Sequence, residues 1–451
     1  MRTSTLELLR CPRSGAPLEL EAHERDGVEI DAGLLRGPAG DYPILAGIPI
    51  LLDDPGEQVV SLVRARDHAT ATAVAVARGL SHSRLDPLVP GLLALRPTRP
   101  LGRWLAGVRD RAVAARAGRA LAAAATDPDP LLRFAHLENR QPNVEGYRYF
   151  RYRLGLPRHL VALGAVGAVR PDDRPVVEVG CGAGHLTWQL ARSFAPRPVL
   201  GIEREFHLLW SAHHHIAPEA EVLCGDATAV PLADAACSLG VAVDVLSFVR
   251  AKTVAVRELR RVVGEDGGLV LTSLINQSAD HEFAGDPLPP SAWVGLVDPL
   301  PNAAFADRTV LDSYLARHRP PPGGDGPDVL AAARTITVLA GEAALADLGA
   351  GFDDWPHATG RLGPHPMLEP VGNTTGGERC WRRVTPSAGF GRDNADLDRY
   401  LPAELCLPVD LVDAVRGGSR PSALDEHLAS VAVLGYPARW PADPWTLDAH
   451  E

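Results

Sequence analysis

VVEVGCGAGHL, residues 176–186, is the string on which the fold turns. It opens as an apolar strand carrying an acid, Glu178, and passes through Gly180, Gly182 and Gly184 into HLTWQLARSF, a stretch with helical spacing. The first glycine permits a tight turn, and the other two let backbone approach a ligand with no Cβ in the way. A dinucleotide fingerprint of the form GxGxxG wants its third glycine at 185. Position 185 is His185, and the glycine comes at 184. GxGxG spacing behind an acid inside the strand points away from a bound pyrophosphate.

Downstream the pattern repeats. PVLGIE (198–203) reads as a strand, REFHLLWSAHHH (204–215) as a helix and AEVLCGD (220–226) as a strand. CSLGVAVDVL (237–246) is another strand, KTVAVRELRRVV (252–263) a helix and GGLVLTSLI (267–275) a strand. Strands alternating with helices of about ten residues predict a parallel, doubly wound sheet. Glu203 ends the second strand, about 20 residues beyond the glycines, where a carboxylate can take both ribose hydroxyls of a nucleoside. Asp226 ends the third, placed to accept the exocyclic amine of an adenine. All three acids fall at strand carboxyl ends, the crevice where open α/β sheets bind ligands.

In this ordered combination residues 175–275 resemble the class I S-adenosylmethionine-dependent methyltransferases. The resemblance implies S-adenosylmethionine as cofactor and S-adenosylhomocysteine as product. It puts Gly180, Gly182 and Gly184 against the methionine part and Glu178 at its amino group. Glu203 falls at the ribose, Asp226 with Ala227 beside the adenine, and Asp244 near the sulfonium.

The first 55 residues resemble the small Trm112-like domains, through LLRCPRSGAPLEL (8–20) and YPILAGIPILL (42–52). Zinc-binding versions supply paired cysteines, whereas here Ser14 stands where CxxC needs its partner to Cys11. His23 is a single further candidate, and two ligands do not complete a tetrahedral zinc site. The segment is read as metal-free, with a supporting role toward the methyltransferase fused to it. Within it, GVEIDAGLLRG (27–37) reads as two short strands across a turn.

With 451 residues the chain is too long for one core. The expected class is α/β, a Rossmann-like methyltransferase sheet with a small N-terminal β-rich domain and helical or irregular additions. The expected divisions are a Trm112-like domain at 1–55 and a helical region roofing the acceptor site at 56–170. A core follows at 171–386, with an insertion at about 276–340 over the carboxyl edge, and an extension at 387–451. RWLAGVRDRAVAARAGRALAAAA (103–125) has helical periodicity with arginines on one side. MLEPVGNTTGGERCWRRVTP (367–386) reads as a closing hairpin turning at NTTGG.

A net charge of −11 argues against nucleic-acid binding, which needs a basic face. No run reaches the roughly 18 apolar residues of a membrane span, and the N-terminus has no signal-peptide core. Six scattered cysteines read as reduced thiols in a cytoplasmic protein.

Acceptor-site candidates are fewer. VEGYRYFRYR (144–153) holds Tyr149 among arginines 148, 151 and 153, just before the first strand. FAHLENRQPN (134–143) adds His136 and Glu138, and NQSADHEFAGD (276–286) offers His281 and Glu282. Tyr149 and His281 are the catalytic candidates, His281 because an imidazole near pH 7 suits a general base. The histidines of AHHH (212–215) point different ways around a helix and read as a surface helix end. The expected reaction is in-line methyl transfer to O, N or C of a small molecule, a specialised metabolite among the options. The alternatives are ring closure or elimination on the same fold in natural-product biosynthesis, and a non-catalytic partner protein. A protein partner or a second copy would meet the chain through the Trm112-like domain.

Overall fold

The computed structural model describes residues 1–79, 99–124, 152–279, 285–353, 355, 361–371, 377–429 and 433–436. The chain forms two compact units. One draws on residues 1–147, 182–184 and 201–233, the other on 148–181, 185–200 and 234–451.

In the first unit, strands β1 (Glu19–Asp26), β2 (Glu29–Gly37), β3 (Gly40–Leu45) and β4 (Ile48–Leu51) form an antiparallel meander. GVEIDAGLLRG is therefore one strand, not two across a turn. Gly33, the residue that suggested a break, sits mid-strand where β1 slips register between Ala22 and Glu24, and a Cβ there would collide with the Glu21 carbonyl. A glycine inside a strand often marks such a close approach. The chain reverses between β3 and β4 at Ala46 and Gly47, both with positive φ. β4 then pairs in parallel with β7 (Glu221–Gly225), Ile50 opposite Cys224 and Leu51 opposite Gly225. The order continues to β6 (Val199–Glu203). The expected arginine-bearing helix is present as Arg99–Ala124; it buries Val113 and Ala117 and leaves Arg111 and Arg119 exposed. It packs on helix His68–Gly79, where Gly118 meets Ala73.

In the second unit, β5 (Val176–Val179), β8 (Leu239–Val243) and β9 (Gly268–Ile275) run parallel. Their residues are buried throughout, as expected of strands covered by helices on both faces. Helix Lys252–Val263 packs on β8 and β9, and helix Pro157–Val166, with proline at its first position, packs on β9. The expected insertion at 276–340 is corrected here: it supplies two strands of the sheet. β11 (Thr335–Ala340) pairs antiparallel with β9, and β10 (Asn302–Ala306) antiparallel with β11. NAAFA is too short and alanine-rich to read as a strand, and TITVLA lies beyond a Pro/Gly-rich stretch that hid their partnership.

β12 (Arg361–Pro364) pairs antiparallel with β16 (Val433–Tyr436) in a sheet of its own, and the expected hairpin exists as β13 (Leu368–Pro370) and β14 (Glu378–Arg383), with residues 372–376 of its turn outside the described set. It does not close the large sheet. It forms a separate three-stranded sheet with β15 (Glu404–Pro408). Cys380 and Cys406 face each other across β14 and β15 and are joined by a disulfide, so the reading of all six cysteines as thiols is corrected. Their spacing of 26 residues carried no hint of this, because only the strand register makes them neighbours. No helix among the described residues is long and apolar enough to cross a membrane.

Candidate functional site

The glycine turn takes the conformation its sequence requires. Gly180, Gly182 and Gly184 have φ of +74°, +53° and +81°, a region that side chains bearing a Cβ enter only at a cost. Their surroundings differ. A Cβ on Gly180 would run into Val245, and one on Gly184 would lie 2.8 Å from the Cβ of Ala212. A Cβ on Gly182 would meet nothing within 4 Å. Two of the glycines thus answer to packing, while the third leaves open space beside the backbone.

In the first unit, Glu203 closes β6 with its carboxylate turned onto backbone. Oε2 accepts the Gly182 N–H at 3.2 Å, and Oε1 accepts the N–H groups of Arg204 and Glu205 at 2.6 and 3.3 Å. Asp226 follows β7; Oδ1 accepts the Thr228 N–H at 2.8 Å and its hydroxyl at 2.7 Å. The other oxygen lies 3.3 Å from Nε of Arg204. Ala227, beside it, is half-buried. Sequence reasoning missed Arg204 and Thr228. The backbone part of the Thr228 contact had a usable signal, since an aspartate commonly accepts the N–H two residues on in a local turn.

In the second unit, Glu178 is buried in β5 at 3% exposure. Its Oε2 accepts the Thr187 hydroxyl at 2.6 Å; Thr187 comes one turn into helix His185–Ser193 and is fully buried. A buried charged carboxylate needs such partners. Asp244 follows β8 with φ +56°, an uncommon conformation for a residue other than glycine. One oxygen of its carboxylate receives both Arg153 and Arg158, each at 3.1 Å. Arg153 ends VEGYRYFRYR, and it and Tyr152 are the residues of that stretch within the described set. Arg158, in the first turn of helix Pro157–Val166, was not foreseen.

The turn that carries Arg153 is held from below. The Gly155 carbonyl accepts Nε2–H of His365 at 2.9 Å and the Tyr400 hydroxyl at 2.6 Å. The Met367 N–H donates to Nδ1 of His365 at 3.1 Å, which fixes the imidazole as the Nε2–H tautomer. Burial pushes the His365 imidazole down to about 4 and the Tyr400 phenol well up.

Tyr149 and His281, with His136, Glu138, Arg148, Arg151 and Glu282, lie outside the described residues. The AHHH segment forms a π-helical turn, Ala212–Ile216, in which His214 is exposed. His213 departs from the surface reading, because its ring packs against Gly47 of the N-terminal meander. Cys11 is buried with its sulfur 3.3 Å from the Tyr42 hydroxyl, while His23 contacts His68 and Glu21, each at 3.1 Å. Among the described residues, the grouping with metal-ligand proximity is Glu378, Cys380 and Cys406, whose sulfurs are bonded to each other.

A family model described as a methyltransferase domain matches residues 177–271. A comparison with curated proteins finds no match. Among solved structures the chain is similar to a TehB-like SAM-dependent methyltransferase from Corynebacterium glutamicum, at 18% identity and TM-score 0.30, over 40% of this chain and 86% of that one. It is similar to the [4+2]-cyclase SpnF at 20% identity and TM-score 0.31, over 41% and 80%. A third similarity is to a chain of the complex between the Haloferax volcanii Trm112 methyltransferase activator and a methyltransferase, at 11% identity and TM-score 0.33, over 44% and 92%. The match of residues 177–271 to a methyltransferase-domain model implies S-adenosylmethionine as the cofactor.

Proposed function

We propose that the chain is an S-adenosylmethionine-dependent methyltransferase that transfers a methyl group in line to O, N or C of a small molecule. The observation that carries this reading is the open face at Gly182 in the first unit, where Glu203 at the end of β6 accepts the Gly182 N–H and Asp226 directly follows β7. Glu178, steadied by Thr187, would hold the cofactor's amino group. Glu203 would exchange its contacts to backbone N–H groups for the ribose hydroxyls. Asp226, oriented by Thr228, would accept from adenine beside Ala227, and Asp244 would lie toward the sulfonium. When bound, S-adenosylmethionine supplies a methyl group already activated by positive sulfur. The residues' task is then mainly positioning, with the acceptor brought to a near-attack distance of about 3 Å. Tyr149 and His281 remain the proposed orienting and proton-accepting groups.

Residues 1–55 are read as a Trm112-like support fused to its client; its backing is the parallel pairing of β4 on β7. A cytoplasmic setting belongs to the same reading; four free thiols favour it and the Cys380–Cys406 disulfide stands against it.

Calorimetric titration of the full chain with S-adenosylhomocysteine tests the cofactor site. Micromolar binding that is lost in Glu203→Ala and Asp226→Ala is expected; a folded wild type that does not bind overturns the reading. An acceptor screen by product mass follows, in which a gain of one methylene unit separates methyl transfer from ring closure or elimination.

A further inference from the structure

The chain has 45 lysines and arginines together, and all but one are arginine. The exception, Lys252, stands where a cation is hard to place. It is the first residue of helix Lys252–Val263, the end at which a helix dipole favours negative charge, and it is 4% exposed. A buried ammonium is costly unless its hydrogens find acceptors. A residue that contradicts its surroundings in this way marks a place to look for function.

Nζ of Lys252 donates to the Val249 carbonyl at 2.9 Å and to Oδ2 of Asp286 at 3.0 Å. These acceptors stand on two different segments of the second unit. Val249 comes just after the short turn Leu246–Phe248, which follows β8, while Asp286 belongs to the stretch that leaves β9. Backbone joins the same two segments beside the lysine. The Asp286 N–H donates to the Ser247 carbonyl at 2.8 Å, and the Ile275 N–H, at the end of β9, donates to Oγ of Ser247 at 3.0 Å. Gly285 lies so close that a Cβ on it would be 3.1 Å from the Ser247 carbonyl oxygen. The stretch after β9 is closed at its base, where the Gln277 N–H donates to the Leu288 carbonyl at 3.1 Å. The loop held in this way, residues 244–249, begins with Asp244 and puts Val245 against Gly180 of the glycine turn.

As a source of stability the ion pair is weak. The Asp286 side chain is 72% exposed, and a pair with one partner so well hydrated contributes little. What it supplies is a fixed distance between two segments. An ammonium concentrates its donors on one atom, so a single Nζ serves a carbonyl and a carboxylate at once, whereas a guanidinium spreads its donors over a rigid planar fork. We infer that Lys252 is a positioning residue of the cofactor site: by tying the loop after β8 to the stretch after β9, it sets Asp244 and Val245 against the glycine turn. This rests on the methyltransferase reading and adds to it a residue that acts through that loop.

The test is calorimetric titration of the full chain with S-adenosylhomocysteine, alongside thermal melting. Lys252→Met and Lys252→Arg are both expected to weaken binding on the order of tenfold, because neither places a one-atom cation between the two oxygens. Asp286→Asn is the variant that keeps folding out of the question, since its side chain faces solvent. It is expected to weaken binding several-fold at an unchanged thermal midpoint, a split that a merely structural ion pair would not give. The single lysine also offers a direct signal. Protein grown on isotope-labelled lysine shows one Cε–Nζ correlation by NMR, which is expected to shift on saturation with S-adenosylhomocysteine and, in the free protein, on Asp286→Asn. Wild-type affinity in Lys252→Arg or in Asp286→Asn, or a lysine signal unmoved by the ligand, overturns the proposal. A folded wild type that does not bind S-adenosylhomocysteine overturns the cofactor reading itself and this proposal with it, so the two failures are told apart.

Discussion

Gly182 and Gly184 share a backbone conformation but answer to different neighbours, and that difference is measurable. Alanine at either position pays the strain of a left-handed residue, roughly 1–2 kcal/mol. At 184 the new Cβ also meets Ala212 at 2.8 Å, inside the distance real Cβ atoms keep. Gly184→Ala is therefore expected to lower the thermal midpoint clearly further than Gly182→Ala, as read by calorimetric melting. Gly182→Ala has room and should stay folded, yet lose most S-adenosylhomocysteine affinity because its methyl occupies the open face. If Gly182→Ala binds like wild type, that face is not the ligand's. For Glu203→Ala the lost charged hydrogen bonds are worth about 1.5–3 kcal/mol, which is on the order of a 10- to 150-fold loss in affinity by titration. The glycines and acids were legible in the sequence because turn geometry and ribose chemistry demand those residue types at those spacings. Thr187, Arg204 and Arg158 were not. A threonine or arginine acquires such a role only when the fold brings it within about 3 Å of a carboxylate.

At the scale of elements, the short turn Arg153–Gly155 is the hinge between the C-terminal segment and Asp244. Two donors, His365 and Tyr400, converge on one carbonyl of that turn. Tyr400→Phe removes one of them and is expected to cost about 0.5–1.5 kcal/mol in urea unfolding. His365 makes the turn sensitive to pH, and the sign follows from its burial. Its folded value of about 4 lies below the ordinary 6.5, so the unfolded chain binds the proton more readily. The stability that the neutral ring contributes is present above pH 6.5 and is lost as pH falls toward 4. His159, buried in helix Pro157–Val166 and pushed down to about 3, acts in the same direction. Each proton is worth about 1.4 kcal/mol per pH unit across its window. The urea midpoint should drop steadily from pH 6.5 to 4, and more gently in His365→Gln, which keeps a donor but does not titrate. An equally steep drop in that variant would remove His365 from the account. The elements themselves were legible wherever hydrophobic period and length agreed, as in β5 through β9 and the helices between them. They failed at β2, where a packing glycine imitated a turn, and at β10 and β11, whose pairing is set by contacts far apart in sequence.

At the scale of the molecule, residues 1–55 were legible as a β-rich module, but their attachment was not. Nothing in YPILAGIPILL announces that its last strand adds to a parallel sheet; only the register of Ile50 with Cys224 and Leu51 with Gly225 shows it. This attachment makes the module part of the first unit's core. Ile44, Leu45, Ile48 and Leu51 are fully buried, and Ile50 is nearly so. Removing residues 1–55 would strip the outer edge of β7 of its hydrogen-bonding partner and expose the apolar surface those side chains cover. A bare, hydrophobic, unprotected edge strand is a template for pairing with other chains. A chain beginning at residue 56 is therefore expected in the insoluble fraction, without S-adenosylhomocysteine binding, because Glu203 and Asp226 stand on the strands next in that order. Co-expression of residues 1–55 as a separate polypeptide should restore both solubility and binding, since the β4–β7 contact needs no covalent link. A truncated chain that is soluble, monodisperse and binds as well as the full chain would show that the module is an appendage, and the Trm112-like support role would fall with it.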